Sequence, residues 1–70
     1  MMALLDRISI DPRVCFGKPC INGTRIWVSL ILGFLASGET EAAILALYPQ
    51  LHPQDILAVL IYAAEIALES

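Results

Sequence analysis

The feature that most constrains this chain is its last run of helix-forming residues, which is apolar on nearly every face. From Pro53 to Leu68 the apolar positions are Ile56, Leu57, Val59, Leu60, Ile61, Ala63, Ala64, Ile66, Ala67 and Leu68. Pro53 suits the first helical position and Asp55 the first turn, so one long helix is predicted over 53–68. A helix apolar all round is buried on more than one side. Glu65 and Glu69, four residues apart, mark a narrow wet stripe. The whole chain has only 70 residues, of which 59% are hydrophobic. A single domain of that length, 1–70, has too small a core to hide so many apolar side chains. The expected remedy is a second copy of the chain, with Leu57, Leu60, Ile61, Ala64 and Leu68 as candidate dimer-interface residues.

Charge is segregated along the sequence. All four cations, Arg7, Arg13, Lys18 and Arg25, lie in the first 25 residues beside only Asp6 and Asp11, a net charge of +2. From Ile26 onward there is no Lys or Arg, and Glu39, Glu41, Asp55, Glu65 and Glu69 give −5. Charged residues make up 16% of the chain, against about 25% in ordinary soluble domains. The hydrophobicity excludes a disordered tail, and the net charge of −3 argues against general affinity for nucleic acid. The longest uncharged apolar stretch, Ile26 to Gly38, is too short for a membrane span, which needs about 20 apolar residues. No signal-peptide pattern opens the chain, so a cytoplasmic protein with reduced thiols at Cys15 and Cys20 is expected.

Ahead of the long helix, residues 7–28 have extended character and 29–68 helical character. Ile8-Ser9-Ile10 alternates as a half-buried strand does. Asn22-Gly23, between Cys20-Ile21 and Thr24-Arg25-Ile26-Trp27-Val28, predicts a hairpin closed by a type I′ turn. Leu30, Ile31, Phe34 and Leu35 predict a helix over 29–37, with Gly38 supplying its left-handed terminator. Thr40 is the expected N-cap of a short helix ending at Tyr48-Pro49. The expected fold is therefore mainly α: an N-terminal β-hairpin followed by three helices.

Chemical constellations are sparse. Cys15, Cys20 and His52 match no zinc spacing, and the thiols read as small hydrophobic residues. The carboxylates fall at helix starts or on a solvated stripe, which does not suit acid–base catalysis. Gly17-Lys18-Pro19 lacks the other elements of a phosphate loop. No cofactor, metal site or catalytic residue is assigned, and a non-enzymatic protein is expected. The second and third helices have helix-turn-helix dimensions, but the surface that would enter DNA, Pro53, Gln54, Asp55 and Ala58, has no cation nearby. Any nucleic-acid contact falls to Lys18, Arg25, Arg13 and Arg7.

Asp11-Pro12, Gly17-Lys18-Pro19 and Ile21-Asn22-Gly23-Thr24-Arg25-Ile26 together resemble the signature of domain-of-unknown-function family 433. The likeness continues through Gly38-Glu39-Thr40, Tyr48-Pro49, Asp55-Ile56 and Tyr62-Ala63-Ala64, over about residues 7–66. It implies a hairpin followed by a three-helix, homeodomain-like bundle, usually dimeric. Members are suspected antitoxins that neutralise a PIN-like nuclease, and no catalytic residue is carried over. Trp27 stands where the family commonly has proline, and His52 where Ser or Thr often caps the last helix. On this reading a rigid hairpin presents Lys18 and Arg25 to an acidic nuclease pocket. The alternative is a dimeric DNA-binding autoregulator that brings two basic heads together on one operator.

Overall fold

A computed structural model describes residues 2–69. Helix α1 (Met2–Leu5) leads into β1 (Ile8–Ser9), which pairs antiparallel with β2 (Cys20–Ile21) in the register Ile8 opposite Ile21 and Ser9 opposite Cys20. Three helices follow: α2 (Val28–Ala36), α3 (Glu41–Leu47) and α4 (Pro53–Glu69). The fold is mainly helical with an N-terminal β-hairpin, and the one-turn α1, which packs against α4, is an addition to the expected elements.

Local chemistry explains the helix ends. The Ala43 N–H donates to Thr40 Oγ1 at 3.1 Å, the expected N-cap of α3. At the end of α2, Gly38 has φ +91°, with Gly38 N–H bonded to the Leu35 carbonyl and Glu39 N–H to that of Phe34. That pair of bonds is a Schellman motif, which satisfies carbonyls the helix leaves open. Gly33, inside α2, faces open space, so the missing side chain serves no close approach.

The turn at Asn22-Gly23 differs from expectation. Gly23 has φ +81° but Asn22 does not share the left-handed region, and Thr24 N–H donates to the Ile21 carbonyl at 3.0 Å. This is the type II pattern, with positive φ only at the second central residue. The cause is loop length: Ile21 N–H bonds to the Ile26 carbonyl, leaving four residues between them instead of the two that favour type I′. Thr24 Oγ1 fills the loop by donating to the Ile21 carbonyl (2.8 Å) and accepting from Ile26 N–H (3.0 Å). The expected strand over Thr24–Val28 reduces to one bridge, Cys20 opposite Trp27, and the main partner of β2 is β1.

The core gathers Ile21 and Ile26 from the hairpin, Val28 and Ile31 from α2, Ile44 from α3, Leu51 from the link, and Ile56 and Val59 from α4. Phe34 and Tyr48 meet at 6.2 Å between ring centroids and close the α2–α3 end. Only the first half of α4 is enclosed. Ile56, Ala58 and Val59 are buried, whereas 64–69 are all exposed. The narrow wet stripe expected at Glu65 and Glu69 is thus the whole circumference of the last turns. Length is the reason. Seventeen residues span about 25 Å at ~1.5 Å per residue, and α2 and α3, with nine and seven residues, are too short to flank them.

Asp55 corrects a second expectation, that the carboxylates are solvated. Its residue is 4% exposed, its Oδ1 accepts from Arg7 Nη1 at 3.0 Å and its Oδ2 from His52 N–H at 2.8 Å. The second bond is the backward half of a capping box, satisfying an N–H at the start of α4 that would otherwise lack a partner. Arg7 also accepts, through its carbonyl, a 2.6 Å bond from Asn22 N–H. Replacing Asp55 with Ala should destabilise the fold by about 1–3 kcal/mol, the usual effect of leaving such donors unmatched. Combined with Arg7→Ala in a double-mutant cycle by urea unfolding, the two changes should be clearly non-additive.

Candidate functional site

The ten residues between β1 and β2 form the most irregular part of the chain. Asp11 starts a turn in which Val14 N–H bonds to its carbonyl, and its Oδ1 accepts from Arg13 N–H at 2.9 Å and from Arg13 Nε at 3.3 Å. The Arg13 backbone bond first, and its guanidinium second, hold the Asp11 carboxyl below its ordinary range, with a small opposing effect of burial. While ionised, this carboxylate supports the turn alongside the Val14 N–H bond to the Asp11 carbonyl.

Cys15, Phe16 and Gly17 then take φ of +54°, +56° and +78° in succession. Bonds from Gly17 N–H to Val14 and from Lys18 N–H to Cys15 close this left-handed turn. Glycine adopts the region freely, but each side-chain-bearing residue there costs about 1–2 kcal/mol. The turn holds Phe16 in water, with 91% of its surface exposed.

The four cations have different fates. Arg7 is engaged with Asp55 and Arg13 with Asp11. Lys18 is exposed and sits over the Trp27 ring, with Nζ 4.6 Å from the centroid, a cation–π arrangement. Arg25 is exposed and has no ion-pair partner among the described residues. Arg25, Trp27, Phe16, Cys15, Pro12 and Arg13 line one cleft. Arg25 also borders a neighbouring cleft with Asn22 and Gly23 at its wall. The structure therefore brings Lys18, Arg25 and Arg13 to one side of the hairpin and places Arg7 at its junction with α4. Phe16 escaped the sequence reading, although one signal was present. It is an aromatic residue between two chain breakers, Pro12 and Gly17-Lys18-Pro19, with no periodic pattern to bury it.

Of the residues expected at an interface between copies, Leu57 and Leu60 are about half exposed, Ala64 is exposed, Leu68 is 83% exposed, and Ile61 is half-buried. The surface first considered for DNA entry is partly closed off, since Asp55 and Ala58 lie inside the domain. Among the described residues, no three His, Cys, Asp or Glu side chains cluster closely enough to hold a metal ion. No described helix is long and apolar enough to cross a membrane.

Together these features define a small, mainly helical protein whose hairpin carries its exposed cations and an exposed aromatic residue. The family model for "Protein of unknown function (DUF433)" matches residues 8–63, and the chain belongs to that family. It is similar to the crystal structure of a DUF433 member protein from Anabaena variabilis ATCC 29413, with a TM-score of 0.84 and 31% identity. The likeness covers 97% of this chain and 67% of that one. No curated protein matches the sequence.

Both cysteines are free, Cys20 fully buried and Cys15 half-buried. Burial first, and then the interaction with Cys20, push the Cys15 thiol up, while Trp27 and Arg25 oppose this. That direction is opposite to the one that activates a nucleophilic thiol. Cys15 should accordingly react with iodoacetamide at pH 7.5 more slowly than a free cysteine peptide. An equal or faster rate, followed by mass spectrometry, would contradict this environment.

Proposed function

We propose that this chain is a non-enzymatic interaction protein, the antitoxin-like component of a toxin–antitoxin pair, that neutralises a PIN-like nuclease. The observation that carries this reading is the pair Lys18 and Arg25, exposed on one hairpin and without carboxylate partners among the described residues, in a molecule that is otherwise acidic. A nuclease pocket that holds divalent metal presents carboxylates. A basic hairpin is attracted to such a pocket and, once seated, blocks substrate entry. The family resemblance supplies the nuclease as the partner, and the exposed charges supply a way to meet it.

The working form is a homodimer joined along α4. The outer face of α4 offers Leu57 and Leu60, each about half exposed beside the bundle, and Ala64 and Leu68, exposed on the turns beyond it. In the homeodomain-like reading, α3 and α4 with their five-residue link are the helix-turn-helix unit. That unit serves here as scaffold, because α4 begins without a cation. DNA autoregulation through the hairpins is the weaker reading, since two unpaired cations per copy make few phosphate contacts.

Reversing both charges, Lys18→Glu with Arg25→Glu, should slow association with the nuclease encoded beside this chain by about tenfold or more at low salt. Both side chains are exposed, so the variant should fold and dimerise as wild type does. Stopped-flow association across a salt series checks this, and unchanged kinetics would remove the basic hairpin from the interface. Leu60→Asp should leave the melting temperature of the protomer nearly unchanged, because that position is half exposed. In sedimentation at micromolar concentration it should shift dimer to monomer.

A further inference from the structure

The left-handed turn at Cys15-Phe16-Gly17 has a cost in backbone conformation, because two of its three residues carry side chains. Phe16 adopts φ +56° and ψ +32°, a region that side-chain-bearing residues occupy uncommonly and that clusters at functional sites. Its phenyl ring belongs to no part of the core and is 91% exposed. Two backbone hydrogen bonds, Gly17 to Val14 and Lys18 to Cys15, hold the turn closed, so the ring stands on a fixed base. Near it are the two cations that have no carboxylate partner among the described residues. Arg25 lines the same cleft as Phe16, and Lys18 lies over Trp27, which lines that cleft too.

We propose that Phe16 is the anchor of a protein-docking surface, its ring entering an apolar pocket of a partner whose rim carries carboxylates that meet Arg25 and Lys18. The inference rests on the interaction-protein reading above and names the residue that holds the partner once charge has brought it near. Interfaces commonly concentrate their energy in a central aromatic residue that becomes fully dry, with polar contacts around it. With the backbone of the turn already ordered, only the torsions of the ring itself lose freedom on binding. Charge favours an acidic protein over a nucleic acid. Arg13 is engaged with Asp11 and Arg7 with Asp55, which leaves too few free cations for binding dominated by phosphates.

The test uses the full chain, the purified product of the adjacent gene as the nuclease of the proposed pair, and a fluorescein-labelled dT20 oligonucleotide. Phe16→Ala should weaken nuclease binding tenfold or more through faster dissociation, with an unchanged melting temperature, and Phe16→Trp should keep most of the affinity. Phe16→Gly should lose the same affinity while melting higher, because glycine enters the left-handed region without strain. A structural role would not produce that opposition. If Phe16→Ala and Phe16→Gly both melt lower than wild type, the ring serves the fold and the proposal falls. If Phe16→Ala binds the nuclease normally while the Lys18/Arg25 reversal is impaired, the anchor is overturned and the basic-hairpin reading stands. If the wild-type chain does not bind the nuclease, both are overturned. Binding of dT20 that disappears in Phe16→Ala would make the ring a base-stacking platform and overturn docking to protein.

Discussion

A single buried carboxylate connects the two halves of this molecule. Asp55 lies inside the domain, where an unmatched charge is strongly unfavourable, and it is matched from two directions. His52 N–H ties it to the start of α4, and Arg7 ties it to the chain entering β1, 48 positions away. The Arg7 backbone receives the Asn22 N–H, so the residue that fixes Asp55 also fixes the turn after β2. The ion pair and its adjoining backbone bonds thus help fix the orientation of the hairpin on the helices, together with the packing of Ile21 and Ile26 in the core. Arg7 is 38% exposed on its side chain, so water moderates the strength of the pair. Its geometric effect is undiminished, because the alternative leaves Asp55 without a cation. The same contact has a consequence for function: it occupies a cation that the sequence otherwise offers to a partner.

The second constraint is a mismatch of lengths. α2 and α3 are short because Gly38 and Tyr48-Pro49 end them, whereas nothing in the sequence ends α4 before Glu69. The core consequently closes around Ile56 and Val59, and the remaining turns project with Leu60 and Leu68 on their surface. Each large apolar side chain left in water forgoes about 1.5–3 kcal/mol of burial. For a domain this small, a few such residues amount to a large fraction of its net stability. Covering that helix is therefore a question of stability as well as of recognition, which is the physical argument behind the proposed dimer along α4.

Signals that act within a few residues were legible in the sequence. Thr40 caps α3 because its hydroxyl needs only an N–H three positions on. Gly38 ends α2 because only a residue free of Cβ crowding takes φ +91° readily. Asn22-Gly23 marked a turn for the same reason, but the turn type depended on Thr24 reaching back to Ile21 and forward to Ile26. What escaped was non-local or ran against local preference. No spacing rule connects Arg7 with Asp55, and an acidic residue in a first turn reads equally well as solvated. The periodicity of α4 showed that both faces were apolar but not which half its neighbours would reach. Of the candidate site, Lys18 and Arg25 were visible as charges. Phe16 was not, because propensity does not place phenylalanine in the left-handed region.

The distribution of interactions on the hairpin also implies a division of labour. Exposed charges act over only about 8 Å at physiological ionic strength and contribute little to the lifetime of a complex once screened. Lys18 and Arg25 are such charges, and Lys18 is further held over the Trp27 ring. They are suited to steering a partner of opposite sign and poorly suited to retaining it. Retention depends on removing apolar surface from water, and on this hairpin the apolar group most fully open to water is the Phe16 ring. The ring lies outside the core, to which the hairpin contributes Ile21 and Ile26. In the proposed complex, charge therefore governs how fast a partner arrives and the ring governs how long it stays, with the backbone bonds of the Cys15–Gly17 turn keeping the base of the ring ordered.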